Sequence, residues 1–187
     1  MLVQTRCRSE SSMKKLHNLT FILGGASSGK SAYAEGLVIF KGRPKTYIAT
    51  AQAFDAEMEA KIAAHIIQRG PGWTTADAPL DPASVLRRQG PGDIVLLDCV
   101  TLWLTNVLLA DRDISAACDE LLAALAACPC PVVVVSNEVG MGIVPDNALS
   151  RRFRNAQGQI NRRLAAQADT VVAVIAGLPL ALKGDLP

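Results

Sequence analysis

An α/β domain, with helices packed on a mostly parallel sheet, is what this sequence predicts, and three observations predict it. Apolar runs of strand length alternate with helical segments along the chain. Half of the 187 residues are apolar yet only 4% are aromatic, and Ala, Val and Leu dominate. That composition suits strands buried on both faces rather than a β-sandwich. The third observation is the octet Gly24-Gly25-Ala26-Ser27-Ser28-Gly29-Lys30-Ser31, set between the first strand and the first helix. Parallel α/β sheets carry their ligand loops at such a strand-to-helix junction.

Residues 19–23 (LTFIL) form the first strand, and residues 31–40 have helix length and composition. Lys41-Gly42-Arg43-Pro44 turns the chain into a second strand at 46–50. Residues 55–69 read as a helix with Asp55 as N-cap, Glu57 and Glu59 suited to its first turn, and Gly70-Pro71-Gly72 at its end. The stretch 73–92 is mixed, with turn signals at Pro79, Pro82 and Gly90-Pro91-Gly92. Residues 94–98 are a buried strand that ends in the carboxylate Asp98, and helices are expected at 102–109 and 114–127. Residues 131–136 (PVVVVS) are the next strand. A loop over 137–147 leads to a basic helix at 149–167, and 170–176 is expected to close the sheet. The whole is one domain, 19–187, after a loose polar tail at 1–18, where Met13 is a second candidate start beside Met1.

Composition excludes several classes of function. A formal net charge of +2 gives no footprint for nucleic acid or an acidic membrane. No apolar stretch approaches the ~20 residues that span a bilayer. The first residues also lack the apolar segment of a signal peptide. Cysteines at 7, 99, 118, 128 and 130 are odd in number, and Cys128-Pro129-Cys130 lacks the spacing of a zinc or redox pair. Reduced structural thiols in a cytoplasmic protein are the expectation.

The octet fits G-x-x-x-x-G-K-[ST], from Gly24 through Gly29 and Lys30 to Ser31. Its glycines let the backbone curl so that successive N–H groups face one phosphate chain, and the following helix adds its positive end. Lys30 would bridge the outer phosphates and the Ser31 hydroxyl would bind Mg2+. A chance match in a Gly/Ser loop would not place a strand before it and a helix after it.

Asp98 suits the acidic partner for that Mg2+, against the bland reading of a strand-end carboxylate. Glu138, at the end of the following strand, is a second candidate for metal or for accepting a substrate proton. His65 shares a helix face with Met58, Ile62 and Arg69, and Lys61 and Arg69 lie four residues to either side. It is either a packed structural histidine or a nucleophile for phosphorus. The flanking cations would keep the imidazole neutral while drawing phosphates toward it. Arg151, Arg152, Arg154, Arg162 and Arg163 read as a solvated helix face, of which one or two could reach a phosphorylated substrate.

Taken together, these stretches resemble one family. They are GGASSGKS (24–31), YIATA (47–51), FDAEMEAKIAAHIIQRGPGWTT (54–75), LLDCVTLWLTN (96–106), SNEVGMGIVPDN (136–147) and RRFRNAQGQINRRLA (151–165). The family is that of the bifunctional adenosylcobinamide kinases / adenosylcobinamide-phosphate guanylyltransferases of cobalamin biosynthesis. The resemblance implies a RecA-like P-loop NTPase fold, a mostly parallel sheet flanked by helices, in a cytoplasmic homotrimer. It implies that ATP or GTP phosphorylates adenosylcobinamide, after which GTP donates GMP to the phosphate through a covalent histidine–GMP intermediate. The family's guanylylated histidine falls on His65. Its guanine-nucleotide contacts fall on Gly24 to Ser31, on Thr50, Ala51 and Gln52, on Ile66, Ile67, Gln68 and Arg69, and on Asp77 and Asp98. Ser27 stands where many members have arginine, and Asp77 where many have glutamate. Two rivals stand beside this expectation, a simple P-loop kinase with His65 merely packed, and a non-catalytic nucleotide switch.

Overall fold

The computed structural model describes residues 18–39, 41–53 and 56–187, with the side chains of Glu57, Met58, Lys61 and Gln68 outside that description. The tail, the Met13 start and the Asp55 cap therefore lie outside the described residues. Thirteen elements follow one another: β1 (Leu19–Gly24), α1 (Lys30–Ile39), β2 (Lys45–Ala49), α2 (Ala56–Arg69), β3 (Trp73–Asp77), α3 (Pro82–Leu86) and β4 (Ile94–Asp98). Then come α4 (Val100–Leu109), α5 (Ile114–Ala127), β5 (Val132–Asn137), α6 (Ala148–Gln167), β6 (Thr170–Ile175) and β7 (Leu178–Lys183). The seven strands form one sheet in the order β3-β2-β4-β5-β1-β6-β7. Every pairing is parallel except that of β6 with β7.

Strand periodicity sorts the core into two layers, because successive side chains point to opposite faces. Phe21, Val95, Leu97, Val132 and Val134 pack on one face beneath Trp103, Leu104, Leu121 and Leu164. Their neighbours Ile22, Leu96, Val133 and Val135 pack on the other against Ala34 and Val38 of α1. The central strands are thus covered on both sides, which is why their sequences are continuous apolar runs rather than alternating ones.

Two elements depart from the sequence expectation. Within 73–92, WTTAD pairs in parallel with β2 as an edge strand. It is half exposed and carries two threonines and an aspartate, so it has no apolar run to announce it. Strand β6 does not close the sheet as expected of residues 170–176. Ala176 (φ 53°) and Gly177 (φ 79°) turn the chain back, and β7 becomes the edge. Pro179 within β7 is tolerated because an edge strand leaves backbone donors unpaired.

The β6–β7 turn also supports the octet. The Gly177 N–H donates to the Ser28 carbonyl at 2.9 Å. A side chain at Gly24 would meet the Val174 carbonyl at 2.6 Å and Ser28 Oγ at 2.5 Å, whereas one at Gly25 would meet nothing within 4 Å. Gly24→Ala is therefore expected to lose about 1–3 kcal/mol of stability, with Gly25→Ala unchanged, as urea unfolding would show.

Candidate active site

The octet leaves β1 at Gly24 and enters α1 at Lys30, with its tight curve carried by positive φ at Ser27 (54°) and Gly29 (88°). Ser27 bears a side chain in a region that favours glycine, a local strain of the kind found where a ligand loop is fixed. The Ser28 N–H donates to the Gly25 carbonyl, and Tyr33 N–H to that of Gly29, so α1 winds directly out of the loop. Lys30 is buried, and its Nζ donates to the Gly25 carbonyl at 3.0 Å, which holds the ammonium over the loop.

Beside the loop lies a cavity of about 280 Å³. Of the residues named from sequence, Lys30, Ser31, Ala51, His65, Ile66, Arg69, Asp77 and Asp98 line it. The others whose side chains are described stand apart from its walls. Thr50 is fully buried, its hydroxyl accepting from Cys99 N–H and donating to Cys99 C=O, both at 2.8 Å. Ile67 faces solvent at 80% exposure. Gly24, Gly25, Ala26, Ser27, Ser28, Gly29 and Gln52 are not among the lining residues. Tyr47, Ile62, Thr75 and Asn137 line the cavity without having been singled out for it.

Helix α2 roofs the cavity with Ile62, His65, Ile66 and Arg69, spaced three and four apart on one face. Its C-terminal end is pinned through Arg69. That guanidinium stacks 3.6 Å from the Tyr47 ring centroid and donates to Thr75 Oγ1 at 3.1 Å. Of the two cations expected to flank His65, Arg69 thus serves as a cation–π anchor between α2 and the β2–β3 edge. The structure adds what the helix alone could not show: Glu35 and Asp98 both lie within electrostatic reach of the His65 ring. Glu138, the other candidate base, is turned into its own loop, where its carboxylate accepts from Gly140 and Met141 N–H.

Asp98 shares the cavity floor with Ser31. Burial pushes its carboxyl above the ordinary range, while the Ser31 hydroxyl, His65, Lys30 and Tyr47 pull it back. Tyr47 OH donates to Asp98 Oδ2 at 3.3 Å, and burial beside that carboxylate raises the phenol far above its usual range. Among the described residues no group of three or more His, Cys, Asp or Glu could hold a metal. One carboxylate and one hydroxyl fit a hard cation whose remaining ligands are phosphate and water. Arg151, Arg152, Arg162 and Arg163 are exposed, as a solvated face requires, and Arg154 is half-buried. Arg151 donates to the carbonyls of Pro145 and Asp146 and Arg154 to that of Gly140, which ties down the loop before α6.

A nucleotide-binding α/β protein of the P-loop class is what this loop, this strand-end carboxylate and this sheet order define. The comparisons carry the assignment further. Residues 20–182 match the family described as cobinamide kinase / cobinamide phosphate guanyltransferase, and the chain belongs to that family. It is 44% identical over 167 residues to the bifunctional adenosylcobalamin biosynthesis protein CobP of Pseudomonas aeruginosa, covering 88% of this chain and 96% of that one. With the bifunctional adenosylcobalamin biosynthesis protein CobU of Salmonella typhimurium it shares 40% over 182 residues, covering 88% and 99%. In fold it is similar to the structure of PH0250 from Pyrococcus horikoshii OT3, with a TM-score of 0.54 and 8% identity, covering 89% of this chain and 86% of that one.

Glu35, on the buried face of α1, is a carboxylate missed from sequence. It is 4% exposed and its Oε1 has no hydrogen-bond partner. Burial first, and then Asp98, raise its pKa above the ordinary value. A raised folded pKa means that ionising Glu35 penalises the fold. The penalty is absent below the unfolded pKa and complete above the folded one. Glu35→Gln is expected to raise Tm by roughly 2–4 °C near pH 8, with the gain vanishing near pH 4. A Tm series across that range checks it.

Proposed function

We propose that this chain phosphorylates the hydroxyl of adenosylcobinamide with ATP or GTP, then transfers GMP from GTP to adenosylcobinamide-phosphate. The observation that carries this reading is the placement of His65 by α2 on the same cavity as Lys30, Ser31 and Asp98. A simple kinase requires only the last three. A histidine held over them supplies a nucleophile for the α-phosphorus of a triphosphate whose outer phosphates lie along the octet.

In the transfer, a neutral imidazole nitrogen forms a bond to the α-phosphorus as the bond from that phosphorus to the bridging oxygen breaks. The electron pair leaves with pyrophosphate, whose charge Lys30 and the octet's N–H groups meet. An oxygen of adenosylcobinamide-phosphate then displaces the imidazole, giving adenosylcobinamide-GDP. Mg2+, held by Ser31 and Asp98, would supply charge neutralisation along the phosphates. With Glu138 occupied by its loop, Asp98 is the carboxylate that faces the phosphoryl-transfer step. Ala51, Ile66, Arg69 and Asp77, which line the same cavity, complete the nucleotide contacts in this reading. No described helix is long and apolar enough to cross a membrane, and a cytoplasmic homotrimer suits the function.

His65→Ala is expected to abolish acid-labile labelling of the protein by α-labelled GTP while leaving much of the kinase reaction. Undiminished label on the variant would remove His65 as the attachment point, and absence of label on the unaltered chain would leave a plain P-loop kinase.

A further inference from the structure

The sheet order keeps the octet's strand apart from the Asp98 strand, because β5 lies between β1 and β4. Whatever stands at the C-terminal end of β5 therefore stands between the phosphate loop and Asp98. That residue is Asn137. It pairs in register with Gly24, and the next N–H, of Glu138, donates to the Gly24 carbonyl at 3.0 Å. Its side chain lines the cavity with Lys30, Ser31 and Asp98.

A buried polar network fixes the backbone of Asn137 from both sides. Its N–H donates to Thr101 Oγ1 at 2.8 Å, and its carbonyl accepts from Asn161 Nδ2 at 3.0 Å. Ser136 Oγ donates to Asn161 Oδ1 at 2.7 Å, and Gln157 Nε2 donates to both of those oxygens at 2.9 Å. Ser136 and Gln157 are fully buried. These bonds hold the end of β5 in one geometry, although Gln157 Oε1 is left without a partner among the described residues. Yet the amide they position makes no hydrogen bond of its own among the described residues. Asn137 Oδ1 is buried without a partner, which leaves Nδ2 as the end facing the cavity. An amide donor at the cavity, held in register with the anion loop by the strand beside it, is set to meet an anionic acceptor supplied by a ligand.

We propose that Asn137 reads the terminal phosphate of the bound triphosphate, its side-chain Nδ2 donating to a γ-phosphate oxygen. The octet's N–H groups wrap the inner phosphates, while Lys30, Ser31 and Asp98 lie toward the outer ones. Asn137 lines the cavity with that outer group and so meets the terminal phosphate. This deepens the nucleotide site described above and rests on the triphosphate lying along residues 24–31. A neutral donor aimed at the last phosphate separates triphosphate from diphosphate, a distinction that both reactions need.

The test compares binding of GDP and of a non-hydrolysable GTP analogue, by titration calorimetry, to the full chain and to Asn137→Ala and Asn137→Asp. A hydrogen bond to a charged group is worth about tenfold or more in affinity. Asn137→Ala is expected to bind the GTP analogue about tenfold more weakly with GDP affinity kept. Asn137→Asp, which sets a carboxylate against the phosphate, is expected to lose more. Retained GDP binding reports a folded site, and if circular dichroism shows that Asn137→Ala does not fold, Asn137→Asp alone is compared with the unaltered chain. An unchanged ratio of the two affinities, or equal loss of both, overturns the proposal. Failure of the unaltered chain to bind either nucleotide would instead overturn the phosphate-loop reading, and this proposal with it.

Discussion

Backbone crowding where β1 ends governs the rest of the site. At Gly24 a methyl group would collide with the Val174 carbonyl, and at Gly29 (φ 88°) it would approach Gly177 Cα at 3.2 Å. Both contacts come from the β6–β7 hairpin, on the far side of β1 from the cavity's other walls. The loop can close against that hairpin only because it has no side chains there. Once closed, it launches α1 with Lys30 and Ser31 fixed at its first turn, and Glu35 one turn later on the buried face.

The sheet order then decides what faces the loop. β5 beside β1 brings Asn137, β4 beyond it brings Asp98, and β2 next to β4 brings Tyr47, whose hydroxyl reaches Asp98. The edge pair β2–β3 contributes the aromatic seat that anchors Arg69. One cation–π stack thereby sets the position of the helix that carries the candidate nucleophile. Catalytic geometry here depends on contacts made far from the reacting atoms in sequence: residue 24 with 174, 47 with 69, 101 with 137.

Much of this was legible in the chain itself. β4 and α5 occur where their apolar patterns indicated, because buried strands and amphipathic helices announce themselves through periodicity. The octet, Asp98 and His65 could be named because each residue type has a narrow chemical use at its position. β3 and β7 escaped notice as edge strands, one polar, the other interrupted by proline. Glu35 could not be found because one glutamate in a helix looks like any other until the packing shows which face is buried. Asn137 stood in a noted loop motif, but its value lies in an orientation held by three other segments. Arg69 was read as a cation for His65, and only the tertiary structure reveals Tyr47 beneath it.

The central claim is that the imidazole of His65 becomes covalently bonded to GMP. Mass spectrometry of proteolytic peptides from the unaltered enzyme, after brief incubation with GTP and Mg2+ and an alkaline quench, tests it most directly. The account predicts a single GMP adduct on the peptide containing residue 65, with fragmentation locating it on His65. An adduct mapped to another side chain, or none under conditions where adenosylcobinamide-GDP accumulates, would contradict it.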